Sequence, residues 1–408
     1  MKIVIIGAGP AGVSAAETLR AHDRESEVIM LTAEPYPPYS PPAMVDHFLT
    51  GSDAHLWRDP DWAEQAGVDY RKGVEVTAIQ PDTHSLQLKD GSGLEYDRLV
   101  LATGGGLYAP LEGADLAGVF NFKSLSAAET LIKKVKSGSA STAIVVGAGF
   151  IGMEIALLLR ELGAAVTQVE MLDQVMAAML DADTAAVALD ILRERGVDVR
   201  LNTKAAAFVG DKQAKGIQLE SGERLEADVL IAATGIKPNL KPLEGSGIAH
   251  DWGITVDEHL RTSVSDIYAA GDAVETTDRL TGETFVHAIF PNAVEQGRVA
   301  GLNLAGIDTR YEGADRMNSL KHLGLPIMAA GLKSGDEVLR TRQGGHIRTI
   351  YLEDNRIVGF QLVGDVTAAG ILRSLMNQGE NILPYKDRLL NPNFGQGMLV
   401  WDAIAAYA

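Results

Sequence analysis

The chain has 408 residues, too many for one ordinary hydrophobic core, so two or three domains are expected. Its 46% hydrophobic and 22% charged residues are typical of a soluble globular protein, and its net charge of −18 argues against a nucleic-acid partner or adhesion to anionic lipid. Because the sequence contains no cysteine, it excludes a disulfide framework, a thiol nucleophile and a cysteine-held iron–sulfur cluster within this chain.

The N-terminal sequence indicates a cytoplasmic protein. Met1 and Lys2 lead directly into the apolar residues 3–7, so we expect no targeting leader before the fold. No apolar run reaches the roughly 18–20 residues that a membrane-spanning helix needs. We therefore expect no insertion into a membrane.

Residues 3–20 (IVIIGAGPAGVSAAETLR) predict a buried strand, a glycine turn and a helix. Gly7 permits the tight turn, Gly9 lets a pyrophosphate approach the backbone, and Gly12 lets the helix lie close to the strand. The phosphates would lie at the helix N-terminus, facing its N–H groups. After a second strand, Glu34 is placed to accept hydrogen bonds from a ribose. This first glycine turn therefore predicts a nucleotide site, and the alternative is a turn that serves packing alone.

The same pattern returns in residues 143–170, where a second glycine turn (GAGFIG, residues 147–152) lies between a strand and a helix. Two such fingerprints in full strand–helix–strand context are a strong signal. The following strand ends at Glu170, which would bond both ribose hydroxyls of NAD and repel a 2′-phosphate. Met171 and Leu172 supply no arginine for such a phosphate, so NAD(H) is predicted over NADP(H). The alternative is another nearby cation that holds the phosphate.

Each nucleotide unit closes with Ala-Thr-Gly, at residues 102–104 and 233–235, where strands run into the ligand-binding crevice of an open α/β sheet. A later apolar strand ends at Gly271-Asp272. Asp272 would reach a sugar-alcohol hydroxyl of a flavin, and capping of a turn is the alternative. A Pro-Asn turn then precedes a helix predicted from about Ala293, whose N-terminus would face an electron-rich ring oxygen.

The polar stretch 309–320 is predicted to lead into a further domain. Short strands within residues 347–363, a hairpin turn at Asp354-Asn355 and a helix within residues 366–379 predict a further α+β domain.

In this order, the motifs resemble the pyridine nucleotide–disulfide oxidoreductase superfamily over about the first 320 residues. The resemblance rests on the two glycine turns, both Ala-Thr-Gly segments and Ala270-Gly271-Asp272. The chain looks most like the cysteine-independent ferredoxin and rubredoxin reductase branch, in which NAD(P)H passes electrons through FAD to a one-electron protein. The resemblance implies an α/β fold with two Rossmann-like dinucleotide-binding domains and a C-terminal α+β interface domain. The FAD domain would comprise residues 1–110 and 241–318, the NAD domain residues 111–240, and the interface domain residues 319–408.

The resemblance also implies which residues hold each cofactor. For FAD they are Gly7, Ala8, Gly9, Pro10, Ala11, Gly12, Glu34, Val76, Ala102, Thr103, Gly104, Gly271, Asp272, Asn292 and Ala293. For NAD they are Gly147, Gly149, Phe150, Ile151, Gly152, Glu154, Glu170 and Gly235. Glu154 would lie near the nicotinamide, and a carboxylate on a helix surface is the alternative. No side chain is assigned a firm catalytic role, and no metal ligand is predicted.

Two departures from the family pattern stand out. Related flavoenzymes carry a redox cysteine where this chain has about Pro42, within residues 36–44 (YPPYSPPAM), so a thiol relay is excluded. Many reductases of the branch also carry an Arg-Pro-Pro-Leu-Ser-Lys segment with a lysine close to the flavin. Here residues 40–46 (SPPAMVD) contain neither basic residue, and Lys123 is a weak substitute.

These features predict an FAD-dependent NAD(H):acceptor oxidoreductase. Since a flavin exchanges electrons in pairs or singly, it can couple NAD(H) to an iron–sulfur protein or subunit without a thiol. On this interpretation the chain could be the NAD-coupling subunit of a larger metalloenzyme, such as a tungsten- or molybdenum-dependent aldehyde oxidoreductase. The alternatives are a flavin-only NADH oxidase or quinone reductase, and a redox-sensing, NADH-binding interaction protein. Assembly as a homo- or hetero-oligomer is left open.

A basic hairpin, residues 338–348 (VLRTRQGGHIR), is the predicted docking patch for an acidic redox partner. Arg340 and Arg342 would share one face of a strand, with His346 and Arg348 following. Without such a patch the acidic chain would repel that partner over about 8–10 Å. An ordinary solvated hairpin is the alternative, and a permanently bound subunit would be held by buried contacts instead.

Overall fold

The computed structural model describes residues 1–53, 55–321, 324–395 and 397–398. They fall into two compact units, each containing a parallel sheet. Unit 1 comprises residues 1–110, 119–140 and 234–314, and unit 2 comprises residues 111–118, 141–233 and the described part of 315–408. The division into FAD, NAD and interface domains stays a prediction, and residues 322–323, 396 and 399–408 of the predicted interface domain lie outside the described residues.

Unit 1 is built on a five-stranded parallel sheet. Its strand order is Ile267–Ala269, Arg98–Leu101, Lys2–Ile6, Glu27–Thr32 and Asp69–Lys72. Side chains alternate along a strand, so Ile3 and Ile5 enter one hydrophobic core while Val4 and Ile6 enter another. Burial on both faces explains why the first strand reads as a continuous apolar run.

Two helices of unit 1 pack unusually closely. A Cβ added to Gly297 would lie 2.2 Å from the Ala11 carbonyl oxygen, and one added to Gly301 would lie 2.7 Å from the Ala15 carbonyl oxygen. These glycines are four residues apart and share one face of the helix, so the two backbones meet directly. Ser14 Oγ adds a hydrogen bond of 2.7 Å to the Val294 carbonyl oxygen.

Unit 1 also contains several helices and further strands. Its α-helices are Pro10–His22, Met44–Thr50, Trp62–Ala66, Leu125–Lys136 and Phe290–Leu304, and its 3₁₀ helices are Pro41–Ala43, Pro81–Thr83 and Lys241–Leu243. Its other strands are Val76–Gln80, Ser85–Leu88, Gly93–Glu95, Gly105–Leu107, Val119–Phe120, Ile236–Pro238, Ile254–Thr255, Val274–Thr277 and Thr284–Phe285.

Unit 2 contains a second parallel sheet and a C-terminal antiparallel sheet. The parallel strands are ordered Val197–Arg200, Ala165–Val169, Thr142–Val146 and Val229–Ala232. The antiparallel strands are ordered Met317–Leu320, Ile327–Gly331, Arg356–Val363, His346–Glu353 and Glu337–Gln343. The other elements are the strands Ala205–Gly210, Ala214–Leu219 and Arg224–Glu226, the α-helices Phe150–Glu161, Ala182–Glu194 and Ala369–Asn377, and the 3₁₀ helix Leu383–Arg388.

The predicted α/β class with two dinucleotide-binding folds is confirmed. The predicted hairpin turn is also present, since Asp354 and Asn355 have φ values of +49° and +56° between two antiparallel strands. The helix predicted from about Ala293 begins earlier, at Phe290. Pro291 fits in its first turn because a proline there loses no helical hydrogen bond. Within the described ranges, no helix combines the length and apolarity needed to cross a membrane.

Candidate cofactor sites

The first glycine turn joins the central strand of unit 1 to its first helix. Gly7 has a φ of +108°, and a Cβ there would lie 2.0 Å from the Ala102 carbonyl oxygen. A Cβ on Gly12 would lie 2.0 Å from the Gly7 carbonyl oxygen. Glycine is therefore required at both positions. At Gly9, by contrast, no atom of the described residues lies within 4 Å of an added Cβ, so this side of the turn has room for a ligand.

Three segments predicted from distant parts of the sequence meet beside this turn. Ala11 follows the glycine turn, and it forms one buried cluster with Ala102 of the first Ala-Thr-Gly segment, Ala270 before the Gly-Asp turn and Ala293 of the helix Phe290–Leu304. Gly271 has a φ of +85°, and a Cβ on it would lie 2.9 Å from the Ala11 Cβ. The small side chains thus permit close approach of the four backbone segments.

Gln296 fixes the position of the Gly-Asp turn. Its side chain is 1% exposed, and its Oε1 accepts a hydrogen bond of 2.7 Å from the Gly271 N–H. Sequence reasoning missed this residue. The available signal was a polar side chain on the apolar face of a helix, directly before Gly297.

Lys123 provides a cation beside the predicted flavin contact. Its Nζ lies 2.7 Å from Oδ2 of Asp272, and the two side chains are 19% and 17% exposed. The Lys123 N–H also donates to Asn121 Oδ1 at 2.7 Å, which orients the backbone of this segment. Lys123, predicted as a weak substitute for the flavin-proximal lysine, therefore forms a mostly buried ion pair with Asp272.

Glu34 lies after the second strand of unit 1, as predicted. Its carboxylate accepts hydrogen bonds from Ser126, at 3.0 Å from the hydroxyl and 3.2 Å from the N–H. Ser126 belongs to the first turn of a helix, where the N–H groups and the helix dipole favour a negative charge. The contact of Glu34 with a ribose stays a prediction.

Tyr39 stabilises the segment around Pro42. Its hydroxyl accepts a hydrogen bond of 3.0 Å from the Leu125 N–H. Burial raises the pKa of Tyr39, so the hydroxyl stays protonated at neutral pH. The neighbouring residues Pro41–Ala43 form a short 3₁₀ helix.

The start of the last helix of unit 1 requires a correction. Because the helix begins at Phe290, the Ala293 N–H donates to the Ile289 carbonyl oxygen at 3.1 Å, so the helix N-terminus lies before Ala293. That this N-terminus faces a ring oxygen stays a prediction. Asn292 is 4% exposed, and its Nδ2 donates to the His287 carbonyl oxygen at 3.4 Å. Val76 places its side chain in a hydrophobic core, so an FAD contact there would come from its backbone and stays a prediction.

The second glycine turn, in unit 2, repeats the geometry of the first. Gly147 has a φ of +102°, and a Cβ on Gly152 would lie 2.3 Å from the Gly147 carbonyl oxygen. Again there is open space at the middle glycine, Gly149, where an added Cβ meets no described atom within 4 Å. Glu170 lies against this turn, and its carboxylate accepts the Ala148 N–H at 2.7 Å and the Leu172 N–H at 2.9 Å.

Arg200 is the cation that follows Glu170 on the neighbouring strand. Its carbonyl oxygen accepts the Glu170 N–H at 2.9 Å. Its guanidinium, however, pairs with Asp198 at 3.1 Å and with Glu223 at 3.0 Å. These two carboxylates neutralise the positive charge of Arg200, which a 2′-phosphate would need.

Glu154 is 9% exposed, so its alternative as a surface carboxylate is wrong. Phe150 and Ile151 begin the same helix and are half-buried. Gly235 is assigned to unit 1, where its carbonyl oxygen accepts the Tyr108 N–H at 2.9 Å. The NAD contacts of these residues stay predictions.

The threonines of the Ala-Thr-Gly segments have defined backbone partners. Thr103 Oγ1 donates to the Asn239 carbonyl oxygen at 2.9 Å, and Thr234 Oγ1 donates to the Tyr108 carbonyl oxygen at 2.6 Å. Both bonds lie in unit 1, where they hold the chain that leaves each segment.

The predicted docking patch is wrong for two of its four residues. Arg340 and Arg342 do share the exposed face of their strand, but Arg340 is paired with Asp181 and Asp183. Arg348 is 5% exposed and donates to the carbonyl oxygens of Leu389, at 3.2 Å, and Asn391, at 2.5 Å. Burial lowers the pKa of Arg348, as expected for a desolvated cation. Arg342 and His346 remain exposed.

Comparison with known proteins agrees with this geometry. Residues 1–297 match the family described as pyridine nucleotide-disulphide oxidoreductase. The NADH oxidase of Methanocaldococcus jannaschii is 32% identical over 395 residues, which cover 89% of this chain and 88% of the relative. Subunit epsilon of the NADH-dependent phenylglyoxylate dehydrogenase of Aromatoleum evansii is 30% identical over 404 residues, which cover 96% of this chain and 95% of the relative.

A solved structure extends the likeness to nearly the whole chain. The covalent putidaredoxin reductase–putidaredoxin complex matches with a TM-score of 0.85 and 26% identity, over 99% of this chain and 98% of that one. The open middle glycines and the steric demand at the outer ones fit FAD and NAD(H), the two dinucleotides that the resemblance implied. The chain thus belongs to the pyridine nucleotide-disulphide oxidoreductase family and is an FAD-dependent NAD(H) oxidoreductase.

Proposed function

We propose that this chain transfers electrons between NAD(H) and an iron–sulfur protein or subunit through FAD alone. The proposal rests on the absence of cysteine from the sequence, because no thiol pair of this chain can relay electrons onward. FAD, when bound, supplies chemistry that exchanges electrons in pairs with nicotinamide and singly with an iron–sulfur centre. The chain itself binds, orients and shields the reacting groups.

On the FAD side, the residues around the first glycine turn would hold the cofactor. The open space at Gly9 would admit the pyrophosphate, and Asp272 would accept a hydrogen bond from the sugar-alcohol chain. The ion pair with Lys123, at 2.7 Å, keeps the Asp272 carboxylate oriented. Gln296 holds the Gly271 N–H and thereby the turn itself.

On the NAD side, Glu170 would select the nicotinamide cofactor. Its carboxylate is already oriented by the N–H groups of Ala148 and Leu172. A carboxylate has about four acceptor sites, so lone pairs remain for both ribose hydroxyls. A 2′-phosphate would be repelled by the same charge, and Arg200 is committed to other carboxylates.

The acceptor is proposed to be a stably associated subunit. Arg340 is neutralised within unit 2 and Arg348 is buried, so the basic hairpin offers little attraction at long range. A chain with a net charge of −18 would then rely on buried contacts to hold an acidic partner. The relative that is a dehydrogenase subunit supports this arrangement. The chain would then serve as the NAD-coupling subunit of a larger metalloenzyme, such as a tungsten- or molybdenum-dependent aldehyde oxidoreductase.

A flavin-only NADH oxidase is the second candidate, and the 32% identity to an NADH oxidase favours it. Stopped-flow spectroscopy separates the two functions. Anaerobic protein is reduced with NADH and then mixed either with aerated buffer or with an oxidised iron–sulfur protein. Fast reoxidation by the iron–sulfur protein and slow reoxidation in air support the proposal. Rapid reoxidation in air favours the oxidase, and flavin that NADH reduces only sluggishly would point to a redox sensor.

A further inference from the structure

A loop in unit 1 brings two histidines together. Gly51, with a φ of +72°, ends the helix Met44–Thr50 and donates its N–H to the His47 carbonyl oxygen at 2.8 Å. The chain then turns back, and Leu56 forms an isolated bridge with Tyr39. This return places the imidazole of His55 beside that of His47, with ring centroids 3.8 Å apart.

Asp53 completes a group of three metal-ligating side chains. His47, Asp53 and His55 each offer one ligand atom, and these atoms lie within 4.8 Å of one another. With metal–ligand bonds of about 2.0–2.1 Å, the ligand atoms of a tetrahedral zinc site lie roughly 3.4 Å apart. Asp53 is exposed, so its side chain is free to turn toward the two imidazoles.

His55 has an unsatisfied ring nitrogen. The residue is 5% exposed, and its Nδ1 has no hydrogen-bond partner among the described residues. A buried polar atom without a partner is costly, and coordination to a cation would satisfy it.

One ring nitrogen of His47 is held by a backbone carbonyl oxygen. Its Nδ1 lies 2.7 Å from the Ser52 carbonyl oxygen. The carbonyl can only accept, so Nδ1 carries the hydrogen and the lone pair lies on Nε2. A metal-ligating histidine usually donates its second ring nitrogen to such an oxygen, which fixes the ring.

We propose that His47, Asp53 and His55 form a binding site for one divalent transition-metal ion, of which Zn²⁺ best suits two imidazoles and a carboxylate. Three protein ligands leave a fourth position for water. The ion would tie the end of the helix Met44–Thr50 to the returning chain. Phe48 of the same helix packs against Phe122, next to Lys123, with ring centroids 6.0 Å apart.

Zn²⁺ titration of tag-free, flavin-loaded protein tests the site. After treatment with a chelator and its removal, isothermal titration calorimetry and elemental analysis of gel-filtered protein should give one Zn²⁺ per chain. His47→Ala and Asp53→Asn should each weaken Zn²⁺ binding by about 10–100-fold or more. These two positions are half-buried and exposed, whereas substitution of the buried His55 would disturb folding. His22→Ala removes an exposed histidine elsewhere and should leave the affinity unchanged.

Absence of saturable Zn²⁺ binding by the wild-type protein would overturn the proposal. So would equal affinities of the His47→Ala and His22→Ala variants. Flavin content and reduction by NADH are measured on the same samples. Because neither readout uses the metal, failure of the metal site leaves the proposed electron transfer standing, and the reverse also holds.

Discussion

Removing the Lys123 ammonium should destabilise unit 1 by about 2 kcal/mol. An exposed ion pair contributes about 0–1 kcal/mol, whereas removal of one partner from a buried pair costs about 3–5 kcal/mol. The Lys123–Asp272 pair has an N–O distance of 2.7 Å and exposures of 19% and 17%, which place it between these limits. Lys123→Met leaves the Asp272 carboxylate mostly out of water without its cation. The double variant with Asp272→Asn should recover about 1–2 kcal/mol relative to the sum of the single changes.

Urea unfolding of the FAD-free protein, followed by tryptophan fluorescence, measures this effect. Three of the four tryptophans, Trp57, Trp62 and Trp252, lie in unit 1, and Trp401 lies outside the described residues. Replacing Trp401 by Phe in every variant makes the signal report unit 1. Lys133→Met is the matched control because Lys133 is exposed on the helix Leu125–Lys136. If Lys123→Met and Lys133→Met unfold at the same urea concentration, and the double variant is additive, the ion pair contributes nothing and the reasoning fails.

Three further predictions follow from the sites. Glu170→Arg should raise the KM for NADH and lower that for NADPH, and an unchanged ratio in steady-state assays would contradict the ribose assignment. Gly9→Val should give protein with little bound FAD, whereas Gly370→Val, equally open but distant in sequence, should keep the flavin absorbance. Hydrogen bonds from the N–H groups of Ser141 and Thr142 hold the pKa of Asp228 below its usual value of 3.8. The stabilisation is therefore present above that unfolded-state value and is lost as the pH falls through the folded-state pKa. Asp228→Asn should flatten the acid side of a Tm-against-pH profile, and a parallel profile would refute the linkage.

Local spacing was sufficient to predict the glycine turns. The φ of Gly7 and the contact between Gly12 and Gly7 arise within a few residues of chain, so the sequence pattern specifies them. The same holds for the hairpin turn at Asp354-Asn355. The last helix of unit 1 was predicted to start at about Ala293 and starts at Phe290, because proline is common both in turns and in the first turn of a helix.

Contacts between distant segments could not be read from the sequence. That Arg340 and Arg342 share a strand face follows from the alternation of side chains, but Asp181 and Asp183 come from a helix start far along the chain. The pairing of Lys123 with Asp272 is of the same kind. His47, Asp53 and His55 follow no familiar ligand spacing, and they meet because Leu56 pairs with Tyr39.

The contact of Gly297 and Gly301 with the first helix fixes the distance between two helices of unit 1. Gln296, next to Gly297, anchors the turn that carries Asp272, while the first helix begins at the turn that would admit the pyrophosphate. Main-chain atoms, which cannot change rotamer, therefore set the separation between the turn that would admit the pyrophosphate and the turn that carries Asp272. A methyl group at position 297 would force the two helices apart and so change that separation, whatever side chains line the rest of the site.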